Sequence, residues 1–274
     1  TETLPRKIKG YIKTPKITPN GNELTFGWES EAIKFGSTES IPFSNLTAGE
    51  YTISFNTQDY SAAPFIIAYV VNGVKMEKIA EGDSEDRYKR DLSLKQGDEV
   101  LVEGIDDFNE WWIDSDFFAQ NGDKLTFKPI DGEYRIIADF VRRYLKVEVL
   151  SGGKPAKLKA DGSGAIWAVG NGIGKPALKY APSWEPSVAL CMAPMGNGKY
   201  TISFVAGETI SVNSINFVFI HQNAWDTGFK GAETTSGGDL PLEVVSDLIF
   251  IGKGQKVNGA DDGNLTLKSD KTLT

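Results

Sequence analysis

The chain has 274 residues, room for about two domains of roughly 150 residues each, so neither disulfides nor metals are needed to complete a core. With 29 Lys and Arg against 37 Asp and Glu the net charge is −8, which argues against the basic surface that a nucleic-acid groove requires. One cysteine, Cys191, and one histidine, His221, exclude an intramolecular disulfide, a thiolate zinc cluster and a multi-histidine metal site within one chain.

Almost every patterned segment alternates with period two, as strands wetted on one face do. Leu24, Phe26 and Trp28 alternate with Thr25 and Gly27, and Tyr51, Ile53 and Phe55 with Thr52 and Ser54. Residues 65–71 are continuously apolar, as a strand covered on both faces would be. That run is far short of the ~20 residues that cross a bilayer, so no transmembrane segment is expected. Residues 84–90 are charged without an apolar stripe and make a poor helix; residues 93–102 fit many β-folds. Further strands are predicted at 125–127, 134–140, 144–150, 200–205, 215–220 and 265–267. Asn-Gly and Asp-Gly pairs at 72–73, 121–122, 131–132, 197–198 and 262–263 supply the turns of antiparallel hairpins. Three turns lead into similar strands, at Gly49-Glu50-Tyr51, Gly132-Glu133-Tyr134 and Gly198-Lys199-Tyr200, at a spacing too irregular for a solenoid.

The expected fold is all-β: two antiparallel β-sandwiches, Ig-like or carbohydrate-module-like, with a short strand-rich connecting segment. Polar, Gly-rich breaks at 120–123 and 151–155 place a first sandwich at 1–118, a β segment of open membership at 119–150 and a second sandwich at 151–274. The chain starts at Thr1 rather than Met, which fits a mature product whose export signal has been removed.

Sugar recognition needs a flat apolar surface, and Trp offers the largest rigid one. Trp28 and Trp167 continue strand patterns and are expected in cores. Trp184 lies between Pro182 and Pro186, and two prolines so close do not share a central strand. Trp225 precedes Asp226-Thr227-Gly228, which is turn chemistry. Both indoles are therefore placed on loops as candidate platforms. Gln222, Asn223, Asp226 and Lys230 surround Trp225 in sequence as candidate hydroxyl-binding groups. Trp111 and Trp112 are adjacent, so a strand would bury one and expose the other as a possible second platform.

No cofactor and no metal is expected. The acidic flank Asp106, Asp107, Asp114 and Asp116 lacks calcium-loop spacing, and Asp261-Asp262-Gly263-Asn264 reads as a turn. No Gly-x-Ser-x-Gly elbow accompanies His221, which near a strand end reads as a hydrogen-bonded structural residue. Cys191 reads as a small buried hydrophobe, and residues 170–174 imitate a dinucleotide turn without a following helix signal.

Asp131-Gly132-Glu133-Tyr134-Arg135-Ile136, Tyr144-Leu145-Lys146-Val147 and Ala165-Ile166-Trp167-Ala168-Val169-Gly170-Asn171-Gly172 carry a likeness that continues through Trp184-Glu185-Pro186, Gly198-Lys199-Tyr200 and residues 217–225. In this half the chain resembles a family of Bacteroidetes outer-surface lipoproteins, of largely uncharacterised function, similar to the SusE/SusF-type glycan-binding proteins of starch-utilisation systems. The resemblance implies a carbohydrate-module-like sandwich with aromatic platforms on its loops, displayed at the outer membrane beside a transport complex. The text at 170–174 departs from that of the starch binders, which speaks against starch itself. The expected function is non-catalytic glycan binding at the cell surface that assists polysaccharide capture and uptake. A protein-binding scaffold or adhesin is the alternative, followed by a glycosidase using paired carboxylates.

Overall fold

Period-two patterning becomes strand nearly everywhere in the structure, a computed structural model that describes residues 7–16, 21–30, 32–44, 53–63, 69–79, 86–105, 107–122, 124–231, 235–251, 263–268 and 271–274. Among these the protein is all-β, built from antiparallel sheets, with three single-turn 3₁₀ helices at Phe108–Glu110, Leu178–Tyr180 and Pro186–Val188. The apolar residues 64–68, Tyr51 and Thr52, Asp106, and Asp261 and Asp262 lie outside the described residues. No described helix is long and apolar enough to cross a membrane.

The chain divides into two units, the first within residues 1–76 and 102–106, the second within 77–101 and 107–274. In the first unit Thr25–Glu29 lies between Ile12–Lys13 and Ala32–Phe35. Phe26, Ile33, Ile41 and Phe43 form its core, with Trp28 half-buried against them.

The second unit holds two larger sheets. In the first sheet Arg87–Leu94, Gly132–Asp139 and Tyr144–Ser151 run antiparallel in that order, and Trp112–Ile113 adds a parallel edge. Directly opposed residues share a face. One face therefore carries Leu92, Tyr134 and Val149, then Arg90, Ile136 and Val147, then Tyr88, Ala138 and Leu145. The other carries Asp91, Arg135 and Glu148, then Lys89, Ile137 and Lys146, then Arg87, Asp139 and Tyr144. Residues 84–90, which give no apolar signal, thus enter a strand from Arg87 because its charged side chains find partners across the sheet: Arg135 bonds both oxygens of Asp91 at 2.7 Å.

The second sheet is centred on Trp167–Asn171 and Asn216–Ile220, flanked by Leu190–Cys191 and Gly228–Lys230. Ala168, Ile173, Leu190, Ile210, Ile215, Phe217, Ile251 and Leu265 form its core. Gly170, at φ 142°, faces Phe217, and a Cβ there would overlap the Asn216 carbonyl oxygen and the Phe217 backbone. The glycine-rich text at 170–174 thus serves close strand packing. Trp167 is fully buried, with its indole N–H donating to the Ala156 carbonyl at 3.1 Å.

A buried ion cluster ties segments of this unit together. Lys175 Nζ bonds both oxygens of Asp114, at 3.0 and 2.9 Å, and Asp116 Oδ2 at 2.7 Å. The Ser203 N–H and hydroxyl donate to Asp116 at 2.7 and 2.6 Å, and the Tyr144 hydroxyl donates to Asp114 at 3.3 Å. The predicted strand at 200–205 accordingly stops at Thr201, and Ser203 turns to this cluster instead. Burial pushes the Asp114 carboxyl up despite Lys175. For Asp116 burial also pushes upward, but the Lys175 charge and the bonds from Lys175 and Ser203 outweigh it and hold the carboxyl below 3.8. Removing one member of a buried ion pair leaves an uncompensated charge in a medium that solvates it poorly. Lys175→Met is expected to lower the free energy of unfolding in urea by about 3–5 kcal/mol, and adding Asp114→Asn to recover part of that loss.

Candidate ligand-binding site

Ser183 takes a positive φ of 48° and bridges to Gly170, which turns the chain sharply before Trp184. The loop then closes in the Pro186–Val188 turn, capped by the Glu185 side chain, which accepts from the Ser187 N–H at 3.3 Å and its hydroxyl at 2.8 Å. Trp225 lies on the loop between Asn216–Ile220 and Gly228–Lys230. The two loops are bound together: the Asn223 amide donates to the Pro186 carbonyl at 2.7 Å.

This linkage brings the two indoles side by side. Their ring centroids are 6.3 Å apart and the planes differ by 28°, a stacked pair. Trp225 is 56% exposed and Trp184 is half-buried. A pyranose between two rings needs about 8 Å, one van der Waals contact on each side, so it does not fit between these. The pair is instead one shelf whose open surface is that of Trp225.

Beside the shelf lies a cavity of about 550 Å³, within the range of small-molecule sites, lined by both indoles, Phe219, Asp226, Lys230 and Asp239 among others. Four of the six candidates named around this site, Trp184, Trp225, Asp226 and Lys230, thus meet at one cavity. Asn223 does not; it locks the loops and lines a groove on their other side. Gln222 is buried and braces the loop, its amide N–H groups donating to the Ala224 and Thr227 carbonyls at 2.9 Å. Nothing in the sequence singles out Asp239, and Asn264 reads there only as part of a turn; both line the cavity. Asp239 accepts from the Gly228 N–H at 2.8 Å and Asn264 donates to Asn216 at 2.8 Å, pairings made by distant segments that leave no local signal.

Trp111 and Trp112 stand elsewhere. Trp111 is buried edge-on against Phe140 at 4.9 Å. Trp112 is half-buried, edge-on to Tyr144 at 5.1 Å, with the Lys175 ammonium 5.7 Å from its ring centre. Of their acidic neighbours, Asp114 and Asp116 hold Lys175 and Asp107 is exposed. Among the described residues no three His, Cys, Asp or Glu side chains gather as a metal site would require. Cys191 is buried, and burial pushes its thiol up to about 12.

His221 braces the base of the Trp225 loop. It is buried edge-on against Phe229 at 4.6 Å, Nδ1 lies 3.1 Å from the Thr227 hydroxyl, and Nε2 has no hydrogen-bond partner among the described residues. Burial lowers its pKa below 6.5, against an upward pull from Asp239 and Asp226. The neutral ring is therefore the form the fold favours, and its stabilisation is complete above pH 6.5 and lost as the pH falls through the folded-state value. As the chain's one histidine, it is expected to titrate in proton NMR with a midpoint below 6.5. Stability is expected to drop between pH 7 and 5 in the parent chain and less so in His221→Gln.

No curated protein and no solved structure matches the chain. Two family models do: a domain of unknown function, DUF5125, over residues 2–158, and another, DUF5121, over residues 161–273. The first spans more than half of the chain, which therefore belongs to the DUF5125 family and carries a DUF5121 domain after it.

Proposed function

We propose that this protein is a non-catalytic glycan-binding protein of the cell surface. The observation that carries the reading is the stacked Trp184–Trp225 shelf at the mouth of a cavity that also presents Asp226 and Lys230. A sugar ring lays its C–H face on the exposed indole, and its hydroxyls bond the carboxylate and ammonium beside it. The loops are fixed to each other before a ligand arrives, so little ordering is charged against binding. A shallow site of this kind binds weakly alone, and repeated engagement along a polymer raises its effective affinity. The resemblance to SusE/SusF-type lipoproteins supplies the setting: an outer-membrane lipoprotein capturing polysaccharide for a neighbouring transport complex.

Titration calorimetry against a panel of oligosaccharides and polysaccharides tests this reading. Trp225→Ala is expected to weaken binding of whichever glycan responds by about tenfold, ~1.4 kcal/mol, with Trp225→Phe in between and the unfolding midpoint unchanged. Unaltered affinity in Trp225→Ala would remove the shelf from the site. Release of reducing sugar ends during the titration would favour a glycosidase, and silence across the panel a protein-binding scaffold.

A further inference from the structure

The charged face of the first sheet in the second unit is the floor of a second groove. Arg87, Lys89, Arg135 and Lys146 rise from it. Arg142, from the turn after Gly132–Asp139, and Lys175 and Lys179, from the segment before the Trp184 loop, complete a cavity of about 460 Å³. Seven cations and two carboxylates, Asp139 and Glu148, line it. Lys146 bonds Glu148 at 2.7 Å and Arg142 bonds Asp139 at 2.5 Å. Asp91 stands behind Arg135, and Asp114 and Asp116 stand behind Lys175. Counting these five carboxylates and Glu77, which stands opposite Lys89 on the neighbouring strand, the surroundings still carry one more positive than negative charge, in a chain whose net charge is −8. Among the described residues neither Lys89 nor Lys179 is held in a close ion pair, although Lys89 faces Glu77 across the strand pair and its charge helps lower the Asp91 carboxyl. Lys179 and Arg142 instead sit 4.9 and 5.0 Å from the Tyr180 ring centre, which aligns both cations at the wall.

The groove and the Trp shelf share their loops. The segment that carries Trp184 to the shelf brings Ser187 and Val188 to the groove, and the segment that carries Trp225 brings Asn223. We propose that this groove binds the carboxylate or sulfate groups of an acidic saccharide, another residue of which stacks on Trp225. Identifying the anion's carrier as a saccharide rests on the glycan-binding reading; the preference for an anion rests on the groove alone. Arg and Lys side chains around an enclosed anion make charge-assisted hydrogen bonds, and the partial exclusion of water strengthens them.

The test titrates tetragalacturonate, a sulfated chondroitin tetrasaccharide, cellotetraose, maltotetraose and inorganic phosphate against the parent chain and against Lys89→Glu, Lys179→Glu, Trp225→Ala and Lys199→Glu. The last reverses an exposed charge that does not line the groove. Expected is binding of one or both acidic tetrasaccharides, weakened at least tenfold by Lys89→Glu and by Lys179→Glu, weakened by raised salt, and unaffected by Lys199→Glu. A response to tetragalacturonate alone assigns the anion as carboxylate; a response to the chondroitin fragment, which carries glucuronate carboxylates beside its sulfates, assigns it as sulfate where the unsulfated chondroitin tetrasaccharide, titrated alongside, does not bind and as carboxylate where it binds equally. Acidic binding that survives Trp225→Ala but not Lys89→Glu supports the groove and removes the shelf. Binding of a neutral tetrasaccharide, lost in Trp225→Ala with no preference for acidic sugars, overturns the groove and retains the shelf. Equal weakening by Lys199→Glu would reduce the effect to bulk charge, and phosphate binding with no acidic saccharide bound would make the site one for a free anion; either overturns the proposal, as does silence of both acidic sugars.

Discussion

The second unit is organised around one ammonium group. Lys175 lies enclosed between Asp114 and Asp116, and those carboxylates belong to the segment matched by DUF5125 while Lys175 and Ser203 belong to that matched by DUF5121. An ion pair withdrawn from water gains little net stability over an apolar substitute, but it tolerates no wrong partner. Its value here is positional: once Lys175 is seated, residues 176–190 are held against the charged face of the neighbouring sheet. Further bonds fix the same relation, from the Ile130 N–H to the Pro194 carbonyl at 3.0 Å and from the Leu158 N–H to the His221 carbonyl at 2.8 Å. The groove exists because a loop wall is pinned over a sheet face that never became apolar.

Much of the fold was legible because period-two alternation is local. Residues 134–140, 144–150 and 215–220 fall close to Gly132–Asp139, Tyr144–Ser151 and Asn216–Ile220, and 265–267 coincides with Leu265–Leu267. Two segments escaped. Arg87, Lys89 and Asp91 alternate as strictly as any apolar strand, but a search for buried hydrophobes passes over them, since the opposite charges that face Arg87 and Asp91, on Asp139 and Arg135, lie far along the chain. Residues 202–205 carry strand-like alternation, yet Asp116 competes successfully for the Ser203 backbone N–H. A ladder bond was exchanged for one to a charged acceptor, which is roughly twice as strong.

The candidate site was legible to a similar depth. Proline spacing and turn chemistry were enough to put Trp184 and Trp225 on loops, because those signals are short-range. That the loops would be stitched by Asn223 and Pro186, 37 positions apart, was not readable. Nor was the role of Lys175: in sequence it stands between Gly174 and Pro176, with nothing to mark it as the partner of residues some sixty positions earlier.

The stacking of the two indoles also sets what the shelf can do. Had they faced each other across a gap, a sugar between them would have been gripped on two sides and its ring type discriminated by both. At 6.3 Å they grip each other instead, and Trp184 supports Trp225 from beneath while withholding most of its own surface. Selectivity must then come from the rim. Asp226 and Lys230 stand at one side of the shelf, and across the stitched loops lies a groove with an excess of cations. A neutral glucan would use the first and leave the second solvated; a saccharide with acidic groups would use both. On the proposed reading, the arrangement of charge, more than the aromatic pair, would separate one class of ligand from the other.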